Sequence, residues 1–178
     1  MQSKLPHTGT TIFTVMSDLA REHNALNLSQ GFPDFAAPEA LLDRVTHHLR
    51  IGHNQYAPMP GIPELRYELQ QKIAACYGTN TNPDTEITIT SGATEALFSA
   101  IQAFVGLGDE VIVFDPAYDS YEPAVTLAGG TCIHVPLSAP DFAIDWQRFE
   151  SALSDKTRLV IINSPHNPTG AVIQRSDL

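Results

Sequence analysis

The sequence predicts an α/β layer fold around a parallel sheet, and two observations support this prediction. From Asp84 onward, four short runs rich in β-branched residues alternate with three segments of helical periodicity. Strands joined by helices in this way run parallel and are buried on both faces. Hydrophobic residues make up 43% and charged residues 17% of the 178 residues, which fits one globular domain with a short appendage and excludes intrinsic disorder.

The N-terminal part of the chain is predicted to be helical after an arm over residues 1–9. Apolar residues there recur at helical spacing. Pro38 and Pro63 suit the first position of a helix, and Gly78 suits the position just after one. The three predicted helices span residues 11–23, 38–50 and 63–77.

The rest of the chain is predicted to alternate between strands and helices. The predicted strands are 86–90, 110–114, 131–135 and 158–162, and the predicted helices between them are 94–105, 120–128 and 146–153. At the end of the sequence, Ser176 and Asp177 are typical of a helix start, and Leu178 would be the first apolar residue of that helix. Because so short a helix is not stable, we expect the sequence to be truncated.

Charge and composition exclude several classes of protein. The formal net charge is −10 and no basic patch occurs, so nucleic acid is not an expected partner. No apolar run approaches the roughly 20 residues that a membrane span needs. The first 15 residues lack the apolar core of a secretory signal, which predicts a cytoplasmic location. Neither the two cysteines nor His47, His48 and His53 have the spacing of a metal site, so no metal is expected.

Small and hydroxylated residues follow the first predicted strand. Ser91, Gly92, Ala93 and Thr94 open the next helix, where the helix dipole and the N–H groups of the first turn attract an anion such as phosphate. The alternative is an ordinary tight turn that Ser91 caps. The spacing is not that of a dinucleotide-binding fingerprint, and no P-loop sequence occurs.

Two further loops of unusual composition each follow a predicted strand. Residues 163–170 combine turn formers with His166 and Asn167, while residues 115–121 carry Tyr118, whose ring is able to stack on a planar cofactor. Simple turn formation and simple packing are the alternatives. Because ligands of open α/β sheets bind outside the carboxyl ends of strands, all three loops are placed where a ligand site is expected.

Five motifs, taken in order, together resemble the class I aminotransferases. These are fold-type I enzymes that use pyridoxal 5'-phosphate, and the resemblance extends over nearly the whole chain. The residues of these motifs are most similar to those of the branch that contains methionine aminotransferase and kynurenine–oxoglutarate aminotransferase. The motifs are residues 29–34, Asn54-Gln55-Tyr56 with Gly61, residues 91–96, residues 115–118 and residues 163–170.

The resemblance implies roles in cofactor binding. Gly92, Ala93 and Thr94 match the segment that holds the cofactor phosphate, and Tyr118 matches the aromatic residue that stacks on the pyridine ring. Asn167 matches the asparagine that hydrogen-bonds the 3'-oxygen and lies near the substrate carboxylate.

The resemblance also implies a domain arrangement and a homodimer. Gly31 matches a backbone contact to the substrate, and Tyr56 matches a tyrosine that reaches the cofactor phosphate of the neighbouring subunit. Residues 1–50 correspond to the N-terminal arm and a small-domain segment, and residues 51–178 to the first part of the large cofactor-binding domain, including part of its sheet.

The main departure from the family pattern is the missing catalytic centre. The family's Schiff-base lysine, and the aspartate and arginine that accompany it, come later in a chain about twice as long. Lys4, Lys72 and Lys156 are the only lysines, and none has the expected context. The chain is therefore expected to be the N-terminal half of such an enzyme, inactive alone and with no catalytic residue of its own.

The resemblance implies transamination between a methionine-like or aromatic amino acid and a 2-oxo acid. One alternative is a cysteine-conjugate β-lyase of the same fold. The other is a non-catalytic remnant, which the missing lysine favours.

Overall fold

The computed structural model describes residues 3–6, 8–31 and 33–177. Parts of the predicted arm, of the turn at 29–34 and of the last predicted helix lie outside the described residues, namely Met1, Gln2, His7, Phe32 and Leu178. The chain divides into two compact units. The helical unit is Ile12–Thr90, and the sheet unit is Ser91–Leu178 with Met1–Thr11. The predicted domain boundary at residue 50 remains a prediction.

The helical unit contains the three predicted helices. They are α1 (Ile12–Glu22), α2 (Glu39–Arg50) and α3 (Pro63–Tyr77). Pro63 is the first residue of α3, and Gly78 ends the helix in the left-handed conformation with φ of 68°. The Gly78 N–H donates to the Ala74 carbonyl at 2.9 Å, which satisfies one of the last carbonyls of the helix.

The predicted strand at residues 86–90 is wrong. No strand is assigned there, and the Ile89 N–H instead donates to the Pro60 carbonyl at 3.0 Å. This contact brings the backbone of Gly61 so close to Ile89 that a Cβ at Gly61 would clash with the Ile89 side chain. A β-branched run becomes a strand only beside another strand, and none of the described strands pairs with this one.

The sheet unit has the predicted α/β alternation. Its elements are α4 (Gly92–Phe104), β1 (Glu110–Asp115), α5 (Tyr121–Ala128), β2 (Thr131–Pro136), α6 (Trp146–Ala152), β3 (Thr157–Ile161) and a 3-10 helix (Arg175–Asp177). The strands are parallel in the order β2-β1-β3. The fold-type prediction is confirmed at this level, with three of the four predicted strands present.

Only the central strand, β1, is buried on both faces. The sequence predicts burial on both faces for every strand, and for β2 and β3 this prediction is wrong. Val111, Ile112 and Val113 of β1 have no exposed surface. On one face, β1 packs against α4 and α5 through Ile101 and Val125. Residues of α6, including Phe149, pack on the other face. In β2 and β3 only one residue each is buried, because each strand has a described neighbour on one side only.

No helix in the described parts of the chain has the length and apolarity to cross a membrane.

Candidate active site

The strand order places a ligand-binding crevice at the carboxyl ends of β1 and β3. The chain passes from β1 through α5 to β2, then through α6 on the opposite face to β3 on the other side of β1. In doubly wound sheets with this order, ligands bind where the direction of winding reverses. That point lies between β1 and β3, so the loops after these strands form its walls.

The N-terminus of α4 lies toward the same edge of the sheet. Helix α4 ends at the amino edge of the sheet, because the side chain of Arg158, at the start of β3, donates to the carbonyl of its last residue, Phe104, at 2.9 Å. Its 13 residues span about 18 Å, while the six residues of β1 span about 17 Å. The start of α4 is therefore expected near the level of the carboxyl end of β1. The Gln102 side chain of α4 donates to the Ala124 carbonyl of α5 at 2.9 Å and so links the two helices.

The first turn of α4 is suited to close approach by an anion. Gly92 has φ of +76°, and a Cβ built on it would meet nothing within 4 Å. Ala93 and Thr94 are exposed, and their N–H groups belong to the turn in which a helix has no internal acceptors. Ser91 provides no side-chain cap. Its N–H donates to the Glu95 carboxylate, so the alternative of a Ser91-capped turn is wrong.

The loop after β1 holds Tyr118 in a half-buried position. The Tyr121 N–H donates to the Tyr118 carbonyl at 3.2 Å, which closes a turn. The two rings meet edge to face, with centroids 5.9 Å apart and an interplanar angle of 62°. Burial raises the pKa of the Tyr121 phenol, and the neighbouring Tyr118 raises that pKa further. Packing of Tyr118 against the core cluster is thus observed, and the residue remains partly exposed.

A hydrogen-bonding contact between two side chains fixes the beginning of this loop. Nδ1 of His134 on β2 lies 3.0 Å from both carboxylate oxygens of Asp115, the last residue of β1. Cys132 lies nearby, and burial, Glu122 and Asp115 raise the pKa of its thiol to about 11. A thiol held neutral in this way is not an activated nucleophile.

The loop after β3 is held by hydrogen bonds of its own. Nδ1 of His166 lies 2.8 Å from the Thr169 hydroxyl, and the Gly170 N–H donates to the His166 carbonyl at 2.7 Å. The contact with Thr169 explains why a histidine occupies position 166, because its side chain stabilises the turn. In contrast, Asn167 is exposed, and its carboxamide bonds to no other described residue. Asn167 is thus available to a ligand.

A cavity of about 380 Å³ with a mixed apolar and polar lining lies beside β3 in the sheet unit. Phe114, Tyr121 and Ile161 contribute to its wall, and Asn163 and His166 are polar groups at its margin. The cavity is lined by residues of both core clusters, and it reaches the loop that carries Asn167.

Gly31 and Tyr56 belong to the helical unit and are described apart from the residues above. Both are exposed, and Tyr56 has a relative exposure of 104%. The structure therefore brings Gly92, Ala93, Thr94, Tyr118 and Asn167 into one unit, while Gly31 and Tyr56 lie in the other.

Sequence reasoning missed two contacts in the sheet unit. The Asp115 to His134 pair joins residues 19 positions apart, and only the strand register brings them together. The ring contact between Tyr118 and Tyr121 has a weak local signal, because two tyrosines three residues apart at a helix start lie on neighbouring positions of one turn.

The sequence profile described as "Aminotransferase class I and II" matches residues 23–178. The chain belongs to this family. It is 56% identical over 176 residues to the methionine aminotransferase of Escherichia coli K12. The aligned residues cover 99% of this chain and 46% of that protein. The chain is 36% identical to human kynurenine–oxoglutarate transaminase 3, covering 95% of this chain and 40% of that protein.

The fold agrees with solved aminotransferase structures. A crystal structure of the Escherichia coli protein YbdL, for which a methionine aminotransferase function was identified, superimposes with a TM-score of 0.95 at 55% identity. The match covers 99% of this chain and 46% of that one. The expected resemblance to the fold-type I aminotransferases, and to the methionine and kynurenine branch, is confirmed. The chain spans less than half the length of these relatives.

Proposed function

We propose that this protein is a pyridoxal 5'-phosphate-dependent aminotransferase that transfers the amino group of a methionine-like or aromatic amino acid to a 2-oxo acid. The observation that carries the proposal is the placement of three loops at one edge of the sheet, around the point where its winding reverses. Family membership supports the reaction class. The names of the relatives, which act on methionine and on kynurenine, support the substrate class.

The residues of the sheet unit fit the three chemically distinct parts of the cofactor. The open first turn of α4, with Gly92 at its start, suits the phosphate. Tyr118, which is aromatic and partly exposed, suits a planar aromatic ring. The Asn167 carboxamide, which is not engaged by other described residues, suits the 3'-oxygen as a hydrogen-bond donor.

These residues hold and orient, and the reacting groups come from elsewhere. When bound, the cofactor supplies an electron sink for the α-carbon of the amino acid. Asn167 would hold the cofactor through its carboxamide, Tyr118 would stack on its ring, and the backbone of Gly31 is proposed to receive the substrate. Lys72 lies on α3 and Lys156 just before β3, outside these loops. No base among these residues is therefore assigned to the α-proton.

A cytoplasmic homodimer is part of the proposal. Tyr56 projects fully into solvent and makes no hydrogen bond or ring contact with other described residues. A tyrosine in that position fits a role toward the cofactor phosphate of a neighbouring subunit. A mixture of Tyr56→Ala and Asn167→Ala subunits tests this. In a mixed dimer, one of the two sites would combine an intact Asn167 with an intact Tyr56 from the neighbouring subunit. Partial activity would therefore return.

A cysteine-conjugate β-lyase and a non-catalytic remnant are the rival functions. The test uses a protein that spans the length of the relatives. We expect it to bind the cofactor and to convert methionine and kynurenine to 2-oxo acids at the expense of a 2-oxo acid acceptor. Release of pyruvate and a thiol from a cysteine conjugate, faster than amino-group transfer, would favour the lyase. The absence of any cofactor binding would favour the remnant.

The 178-residue chain alone is predicted to be inactive. None of its three lysines lies in the loops proposed to hold the cofactor. Borohydride reduction with the cofactor, followed by peptide mapping, checks this. One stoichiometrically labelled lysine would contradict the prediction.

A further inference from the structure

We propose that Tyr121 is a positioning residue that holds the ring of Tyr118 in the orientation needed to stack on a planar cofactor. The inference rests on the proposed function, since it takes Tyr118 to be the stacking residue. It adds a role for a buried side chain that acts through Tyr118.

The two tyrosines differ in how firmly they are anchored. Tyr121 is the first residue of α5 and is only 8% exposed. It belongs to the core cluster that contains Val111, Val113 and Ile101. Tyr118 lies in the preceding loop and is half-buried. A fixed ring in the core therefore adjoins a less fixed ring at the site.

The two tyrosine rings also meet in a favourable geometry. The ring centroids are 5.9 Å apart at 62°, which is the edge-to-face arrangement that aromatic rings prefer. The backbone hydrogen bond from Tyr121 to the Tyr118 carbonyl fixes the spacing of the two residues in the same turn. Side chain and backbone thus restrain Tyr118 together.

The contact between the two rings should change the population of the competent Tyr118 orientation. If only a fraction of molecules holds Tyr118 in the competent orientation, the apparent affinity for the cofactor falls by that fraction. An edge-to-face pair is strong enough to change such a population by roughly 2- to 12-fold. The ring of Tyr121 is sufficient for this effect, and its hydroxyl is not required.

The test compares four variants of a protein spanning the length of the relatives: Tyr121→Leu, Tyr121→Phe, Tyr118→Ala and Phe149→Leu. Phe149 is the matched control, because it packs against Phe114 and Trp146 on the opposite face of the sheet. The readouts are the cofactor dissociation constant, the circular dichroism of the bound cofactor in its visible band, kcat and KM. Thermal melting measures the loss of packing separately.

We expect Tyr121→Leu to weaken cofactor binding by roughly 2- to 12-fold and to reduce the visible dichroism. Tyr121→Phe should restore both, and Phe149→Leu should lower the melting temperature with both properties unchanged. Equal cofactor defects in Tyr121→Leu and Phe149→Leu would overturn the inference, as would a Tyr121→Phe variant as defective as Tyr121→Leu.

The two levels of the proposal fail differently. If Tyr118→Ala weakens cofactor binding while Tyr121→Leu does not, Tyr118 keeps its role and the inference about Tyr121 is wrong. If Tyr118→Ala binds the cofactor as the unmodified protein does, the stacking role itself is wrong, and the inference fails with it.

Discussion

The sheet unit and the helical unit differ most in what they bury. Every buried hydrophobic side chain in the described chain lies in the sheet unit, from Ile101 to Ile161. The helical unit buries one charged side chain, Arg66, whose guanidinium donates to the Pro83 carbonyl at 2.5 Å. Its helices α1 and α2 have no buried residue.

The difference shows that, in an α/β chain, strands and the helices next to them in sequence can form a hydrophobic core together. In the sheet unit, each strand lies beside a helix close to it in sequence, and α4, α5 and α6 cover both faces of β1. Among the described residues of the helical unit, no strand covers the apolar faces of the amphipathic helices. Among the proposed site residues, Gly92, Ala93, Thr94, Tyr118 and Asn167 are in the unit with the core, whereas Gly31 and Tyr56 are not.

The largest expected effect is on stability. Replacing Ile112 with alanine in the 178-residue chain should cost about 2–5 kcal/mol, because Ile112 is fully buried in β1. Leu26→Ala in the helical unit should change stability by less than about 0.5 kcal/mol, since Leu26 is 83% exposed. Urea unfolding followed by the fluorescence of Trp146, the single tryptophan, measures both. Similar losses in the two variants would remove the distinction between the units.

The next effect concerns the cofactor. In a protein spanning the length of the relatives, Asn167→Ala should weaken cofactor binding by roughly 1.5–3 kcal/mol, the value of a charge-assisted hydrogen bond, and slow turnover. Asn80→Ala, an exposed asparagine of the helical unit, is the control. Titration of the cofactor by fluorescence gives both affinities, and an Asn167→Ala variant with unchanged affinity would contradict the assignment.

A smaller effect separates ring from hydroxyl at Tyr118. Tyr118→Phe should keep most activity, and Tyr118→Ala should lose about 0.5–1.5 kcal/mol of cofactor affinity, because stacking needs only the ring. Steady-state kinetics and the cofactor dissociation constant check this. Equal loss in the two variants would assign the role to the hydroxyl.

The last expected effect is a difference in thiol reactivity. Cys76 of the helical unit is exposed, while burial, Glu122 and Asp115 raise the pKa of the Cys132 thiol to about 11. Iodoacetamide at pH 8 should label Cys76 first. Labelling of Cys132 should speed up about tenfold per pH unit until pH approaches 11, because only the thiolate reacts. Mass spectrometry that finds Cys132 labelled first would contradict the comparison.

The same pKa shift has a consequence for stability with a defined sign. The unfolded chain loses the Cys132 proton at a lower pH than the folded chain does, so the sheet unit should become less stable as pH rises from about 9 toward 11.

The features that could be predicted from the sequence are those that depend on residues close together in the chain. Pro63 and Gly78 define the ends of α3 because both act through their own backbone, and these bounds were correct. The strand at 86–90 was wrong because pairing depends on a neighbour that a β-branched run does not specify. The burial of Tyr121 and the Asp115 to His134 pair depend on strand register and packing, to which residues distant in sequence contribute.

Hydrogen exchange with and without pyridoxal 5'-phosphate tests the central claim most directly, in a protein spanning the length of the relatives. The claim is that the three loops at the sheet edge hold the cofactor. Peptides covering residues 91–96, 115–121 and 163–170 should exchange more slowly when the cofactor is bound, while α2 changes little. Unchanged exchange in all three loops, with slower exchange confined to the helical unit, would contradict it.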